Sequence, residues 1–260
     1  MNETIKTLLE HRTIREFTDQ PVPEETMETL FDVAMHTPTS RALQNASIIR
    51  VKDQAKRDKI AEIAGQEYIA RAPEFLLFIA DTARAAGILE EKGVFPQSAA
   101  TMDSFQEAFT DAVLMTQNVV VAAESLGLGA TILGSILNDP KAVIEAIGLP
   151  KYTFPVLGLV LGVPNEEPQL KPRMPKEFRI MDDTYVRPDS WLESLKDYDA
   201  EMHTYYDLRT ANQREDTFTN QVFKKMGKVR TRRAAILDDI EAQGFLLHPN
   251  GKSMWGAVNR

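Results

Sequence analysis

From about Met102 to Leu126 the chain sets Phe105, Phe109, Val113, Val120 and Ala123 at helical intervals, and Gly127 and Gly129 mark the end of the run. With a rise of about 1.5 Å per residue, such a helix is long enough to be the central pillar of a domain. Whatever else this sequence forms has to pack around it. A second helix is predicted after Pro23, where Met27, Leu30, Phe31 and Ala34 share a face and Glu24 and Glu25 sit in the first turn, and it stops at Pro38.

The remaining apolar runs are short. Ala46-Ser47-Ile48-Ile49-Arg50-Val51 and Phe75-Leu76-Leu77-Phe78-Ile79-Ala80 predict strands, as does Pro155 to Gly162. Ala130-Thr131-Ile132-Leu133 leads through Gly134-Ser135 to a helix that starts at Asn138-Asp139-Pro140. Helices and strands follow one another without the regular alternation of a doubly wound sheet, so the class is α+β. Beyond Val163, Pro164, Pro168, Pro172 and Pro175 break up any long helix, and residues 164–188 read as an extended surface loop. Residues 189–260 return to charged helical patterns, and the whole of 1–260 reads as one domain carrying these two features.

At 43% hydrophobic over 260 residues the chain can bury a real core. A net charge of −8, from 38 acidic against 30 basic residues, argues against a nucleic-acid partner, which needs a broad basic surface. Cysteine is absent, which removes disulfides, thiolate metal sites and a cysteine nucleophile, and fits a reducing cytoplasm. The N-terminus lacks the basic start and apolar run of a signal peptide, and the most apolar stretch, Ala112 to Ala123, is too short to span a bilayer. A soluble, cytoplasmic protein with no membrane partner is expected.

Two basic segments carry possible chemistry. His11-Arg12-Thr13-Ile14-Arg15-Glu16-Phe17 follows an amphipathic helix bearing Ile5, Leu8 and Leu9, and its guanidinium, imidazole and hydroxyl groups suit a phosphate. The plainer reading is that they offset a helix dipole. In Lys171-Pro172-Arg173 a proline stiffens the backbone between two cations, although a solvated loop would read the same way. The glycines at 127, 129 and 134 do not form G-x-G-x-x-G between strand and helix, which rules out a Rossmann turn. No H-E-x-x-H or G-x-S-x-G is present, so neither a metal site nor a hydrolytic triad is expected, and His36, His203 and His248 read as capping or surface residues.

Taken in order, four blocks resemble the NADPH-dependent nitroreductase and flavin reductase family, in its oxygen-insensitive, NADPH-preferring branch. They are His11 to Phe17, Leu43-Gln44-Asn45-Ala46-Ser47-Ile48-Ile49-Arg50, Ala122-Ala123-Glu124-Ser125-Leu126-Gly127-Leu128-Gly129, and Pro168-Gln169-Leu170-Lys171-Pro172-Arg173. The ordered set spans nearly the whole chain. The resemblance implies a central, mostly antiparallel sheet flanked by helices, a helical C-terminal extension and an intertwined homodimer that binds FMN.

By the same resemblance, His11, Thr13, Lys171 and Arg173 match residues that hold the FMN phosphate and ribityl end. Arg15 matches a residue near the pyrimidine side of the ring, where a fixed cation tunes the reduced flavin. Gln66 matches an amide at the ring's polar edge, and Thr39, Ser40 and Arg41 match a stretch supplied by the second subunit. The backbone at Gly134 and Ser135 matches the segment that approaches flavin N5; Arg12, Leu43, Ile132 and Leu133 complete the cofactor-binding set. Three positions depart from the family: Ser135 in place of a second glycine, Ile132 in place of an aromatic, and Arg41 in place of a small polar residue.

Arg209 and Arg214, in a locally basic tail, match arginines that meet the 2′-phosphate of NADPH, though a charged solvated helix face fits the tail as well. The implied activity takes hydride from NADPH and passes two electrons to a nitroaromatic, quinone or flavin by a ping-pong mechanism. No side chain need act as a nucleophile. The alternatives are a flavin-binding carrier or sensor with little turnover, and a regulatory module that holds some other nucleotide.

Overall fold

The structure, a computed structural model, describes residues 1–207 and 216–246. In chain order its elements are α1 (Glu3–Leu9), α2 (Glu24–Met35), β1 (Ala46–Arg50), α3 (Gln54–Ala64), α4 (Tyr68–Arg71), β2 (Glu74–Asp81), α5 (Ala83–Glu91), α6 (Met102–Ser125), β3 (Gly129–Leu133), α7 (Pro140–Ile147) and β4 (Thr153–Gly162). There follow α8 (Trp191–Ser194), α9 (Lys196–Asp207), α10 (Phe218–Met226), α11 (Thr231–Ala234) and α12 (Ile236–Ala242). The chain divides into two compact units, Met1–Glu166 with Thr231–Arg260, and Glu167–Arg230.

In the first unit the four strands make one antiparallel sheet in the order β1-β2-β4-β3, so β1 and β3 are its edges. The continuous apolar run in β2 is what a strand covered on both faces requires. Leu76, Phe78 and Ala80 join the core beneath α6, while Phe75, Leu77 and Ile79 join the core formed with α3, α4 and α7. In β4 the pairing steps from Phe78↔Leu157 to Ile79↔Pro155, which leaves Val156 as an extra residue. That bulge lets Phe154 and Val156 on one side, and Leu159 and Leu161 on the other, all reach the α6 core despite their opposite parity.

The pillar helix is α6, capped by the Thr101 side chain on the Ser104 amide and ended by Gly127 at φ 79°. Its buried stripe runs through Phe105, Ala108, Ala112, Met115, Val119 and Ala123. Val113, expected on that face, is instead 37% exposed beside Leu114, because it lies about 100° round the helix from Ala112. Ile5, Leu8 and Leu9 of α1 are exposed as well. α3 has too few apolar residues to announce itself by periodicity. Its ends are written in caps, with Asp53 accepting from the Lys56 amide at 2.9 Å and Gly65 closing the helix at φ 65°.

In the second unit Leu195, Tyr198 and Met202 form a small core with Met174, Phe178, Trp191, Tyr205 and Phe218. The proline-rich stretch before α8 carries neither helix nor strand apart from a 3₁₀ turn at Lys176–Phe178, and it bends at residues 182–184. Among the described residues no helix is long and apolar enough to cross a membrane.

Candidate functional site

The basic segment at His11–Phe17 is laid along the open side of β3. Thr13 bridges Ala130 in parallel, the Ile14 amide donates to the Ala130 carbonyl at 3.1 Å, and the Thr131 hydroxyl donates to the Ile14 carbonyl. Only glycine permits this approach. A Cβ on Gly129 would stand 2.7 Å from Ile14 Cγ1. Further on, the amides of Arg15 and Glu16 donate to the Glu166 carboxylate at 2.5 and 3.1 Å, and the Thr18 amide donates to the Val163 carbonyl at 2.9 Å. At the other end His11 Nδ1 meets Glu124 Oε1, at the close of α6, at 2.5 Å. The segment is therefore fixed at both ends and in the middle, with Arg15 exposed and Arg12 half-buried.

The turn after β3 supplies a second wall. The Ser135 hydroxyl donates to Gln66 Oε1 at 2.5 Å and the Asn138 side-chain amide donates to the Ala64 carbonyl at 3.1 Å, tying residues 134–138 to the end of α3. The Arg233 guanidinium donates to the carbonyls of Gly134 and, at 3.2 Å, Leu137. Arg15 faces Tyr68, whose hydroxyl is buried without a well-formed hydrogen bond. Burial raises the pKa of that phenol, and the charge of Arg15 pulls it partly back. Ile132 is the one exposed residue of β3, at 39%.

Thr13 and Ile14 thus pair with the start of β3, His11 is tied to Glu124 before it, Arg15 faces Tyr68, and Gln66 is tied to Ser135 beyond the strand's end. Arg12 Nε is buried with no hydrogen-bond partner. An orphaned guanidinium donor next to an anchored imidazole and a hydroxyl fits the phosphate of an FMN, and the Gln66–Ser135 pair fits a polar ring edge. Glu124, Glu166, Tyr68 and Arg233, which hold these groups, are not evident from the sequence. Of them only Glu124 falls inside one of the four blocks, and nothing in its own neighbourhood points to His11.

Thr39, Ser40, Arg41 and Leu43 lie elsewhere in the same chain. The Ser40 amide donates to Asp111 Oδ1 at 2.8 Å, and Arg41 pairs with Glu107 through Nε at 3.1 Å and through Nη2, which raises the guanidinium pKa. Both carboxylates are on α6, and its rise puts Asp111 roughly 20 Å along the axis from Glu124 and His11. Lys171 and Arg173 belong to the second unit, where both are exposed and the carbonyl of Pro172 between them accepts from the Tyr198 hydroxyl at 3.4 Å. Arg209 and Arg214 lie outside the described residues, as does His248; His36 caps α2, with Nδ1 2.7 Å from the Asp32 carbonyl, and His203 is exposed. A cavity of about 690 Å³ opens at the β1 edge between Val51, Lys56, Arg84 and Leu149 and includes none of the expected cofactor residues. Among the described residues no cluster of His, Asp and Glu is arranged to hold a metal.

An antiparallel sheet with a pillar helix beneath it and an anchored basic segment along one edge defines an α+β protein whose edge segment offers donors to an anionic ligand. A family model described as "Nitroreductase family" matches residues 8–163, and one described as "Nitroreductase family, C-terminal domain" matches residues 171–248. The chain belongs to the nitroreductase family. It is 36% identical to the oxygen-insensitive NADPH nitroreductase of Salmonella typhimurium over 94% of this chain and 99% of that one. It is 38% identical to an FMN reductase [NAD(P)H] of Bacillus subtilis over 81% of this chain and 85% of the relative. The solved NADPH:FMN oxidoreductase of Vibrio harveyi complexed with NAD+ superposes with a TM-score of 0.85 at 33% identity, covering 95% of this chain and 100% of that one.

Proposed function

We propose that the protein is an FMN-dependent oxidoreductase that oxidises NADPH and reduces nitroaromatics, quinones or free flavins. The observation that carries this is the anchored segment from His11 to Arg15, with His11 held by Glu124 and Arg15 against Tyr68, beside the Gln66–Ser135 pair's own tie across the turn after β3. The relatives named as NADPH nitroreductase and FMN reductase support the same chemistry. FMN, when bound, supplies the two-electron chemistry, taking hydride from the nicotinamide and giving electrons up to the acceptor in turn.

The chain's own residues do the positioning. His11, Arg12 and Thr13 bind the phosphate end, and Glu124 holds the His11 ring through Nδ1, which leaves Nε2 to the ligand; Lys171 and Arg173 are assigned the same role by their match to the family. Arg15 presents positive charge at the pyrimidine side, Gln66 binds the ring's polar edge, and the backbone of Leu133, Gly134 and Ser135 lines its centre. Ile132 covers the face. Thr39, Ser40, Arg41 and Leu43, held on α6 about 20 Å from His11 by the helix rise, serve the site of a second copy. The active protein is accordingly a homodimer, and exposed Val113 and Leu114 on α6 favour that reading. Arg209 and Arg214 take the 2′-phosphate of NADPH, and a cytoplasmic location matches the donor.

Purified protein should be yellow, retain FMN on gel filtration and elute as a dimer. It should oxidise NADPH steadily with menadione or nitrofurazone, whereas a flavin carrier would bind FMN without turnover. Arg209→Ala should raise the Michaelis constant for NADPH on the order of tenfold, as expected for a lost charge-assisted contact, and change that for NADH less. Colourless protein that does not take up FMN would exclude the assignment.

A further inference from the structure

Three of the five non-glycine residues with left-handed backbone among the described residues fall in one short loop: Arg41 at φ 52°, Ala42 at 55° and Gln44 at 55°. A Cβ in this region crowds the neighbouring carbonyl, so the conformation persists only where surrounding structure enforces it. The enforcing groups stand on α6. Asp111 is 1% exposed, and its two oxygens accept one amide from each end of the strained stretch, Ser40 at 2.8 Å on Oδ1 and Asn45 at 3.3 Å on Oδ2. One turn earlier on the same face, Glu107 takes the Arg41 guanidinium. A buried carboxylate needs hydrogen bonds as much as the strained loop needs an anchor, so each holds the other in place.

We propose that Asp111 is a positioning residue of the flavin site, its carboxylate holding residues 40–45 in the left-handed form that presents Thr39, Ser40, Arg41 and Leu43 to the cofactor. This rests on the reading that those four residues border FMN. Asp111 itself touches neither cofactor nor substrate, and its influence passes through the backbone it ties. Without it the loop relaxes toward right-handed backbone and withdraws its side chains. Flavin is then held less tightly, and the acceptor loses one wall of its pocket.

The test uses full-length protein with Asp111→Asn, an isosteric change that replaces one acceptor by a donor. Four quantities are read: amide exchange at Ser40 and Asn45, the FMN dissociation constant by flavin fluorescence, KM and kcat with menadione at saturating FMN, and the thermal midpoint. Expected are faster exchange at both amides, an FMN dissociation constant raised on the order of tenfold, as for a lost hydrogen bond to a charged group, and a menadione KM that rises more than kcat falls. Adding Ala42→Gly and Gln44→Gly removes the crowding Cβ atoms and should restore most of the FMN affinity, a rescue that a purely structural role of Asp111 would not show.

Wild-type exchange and wild-type FMN affinity in Asp111→Asn overturn the proposal. So does a loss of affinity that the glycines leave unchanged. Faster loop exchange with wild-type FMN affinity overturns it too, while leaving the site at His11–Arg15 standing. If the unsubstituted protein binds no FMN, the underlying reading fails and the proposal with it. Should Asp111→Asn not fold, Asp111→Glu, which keeps the charge but shifts it by one methylene, should show the same losses in smaller measure, and wild-type values there overturn the proposal.

Discussion

Along β3 the sheet edge is closed by backbone, since Thr13 and Ile14 pair beside it and residues 16–18 pair with the chain leaving β4 at Val163, whereas along β1 it is closed by charge, with Arg50 pinned between Glu74 of β2 and Glu24 of α2. Both devices keep a second chain from pairing with an exposed edge. Their consequences differ. Backbone pairing fixes where each side chain of His11–Arg15 points, so that edge can carry chemistry. The ion-pair edge fixes only its own charges, and although a cavity opens beside it, its cations are largely spent on partners: Arg50 on two carboxylates, Arg84 on the Gln44 carbonyl at 2.8 Å, and Lys56 on the Ile147 carbonyl at 3.4 Å.

The strongest way to break the comparison is Gly129→Val. The new side chain collides with Ile14, and stability should fall by about 3 kcal/mol, the upper range for overpacking, with FMN lost on gel filtration. An unchanged thermal midpoint would mean that the segment is not held as described. At the other edge, Arg50→Met leaves the largely buried Glu74 without its partner and should destabilise by about 1–3 kcal/mol in chemical denaturation. FMN affinity should not move in that variant, and a change there would dissolve the distinction between the edges.

Next in size, Arg15→Ala should weaken FMN binding roughly tenfold, or about 1.4 kcal/mol, and lower turnover. Lys52→Ala, at the mouth of the β1 cavity, should leave both unchanged. The smallest effect concerns pH. Arg232 hydrogen-bonds Asp139 at 2.7 Å and holds its pKa below the usual carboxylate range, helped by the Ala142 amide. A depressed pKa gives stability that is present above about pH 4 and lost as pH falls through the folded value. Because both groups are more than a third exposed, the contribution is small. Asp139→Asn should therefore flatten the acid limb of the stability curve slightly between about pH 4 and pH 2, read from thermal midpoints, and leave neutral stability nearly unchanged.

The fold was legible wherever burial imposes a period. β2, β4, α2 and α6 announce themselves by apolar runs or helical spacing, and the break in chain direction near Val163 is marked by prolines. α3, α4 and α5 are short or polar, so their burial leaves little pattern. Val113 shows the same limit from the other side, since an apolar residue off the stripe by one position looks like core until the stripe itself is seen. At the site, residue types at His11–Arg15 pointed to phosphate, but they fit a helix-end role equally well. The anchors that hold the segment in place, Glu124 and Glu166, are contributed by segments remote in sequence.

The sequence by itself determined the pillar helix, the apolar strands and the family to which the ordered blocks belong, because these follow from local spacing and residue identity. Tertiary structure alone decided which basic groups meet. The register of Thr13 against Ala130, the gap left by Gly129 and the distance along α6 between Glu124 and Asp111 put His11–Arg15 at the start of β3, and Ser40 and Arg41 elsewhere. Hydrogen bonds between remote segments act only after the strands have found their register, so no periodicity in the chain can reveal them in advance.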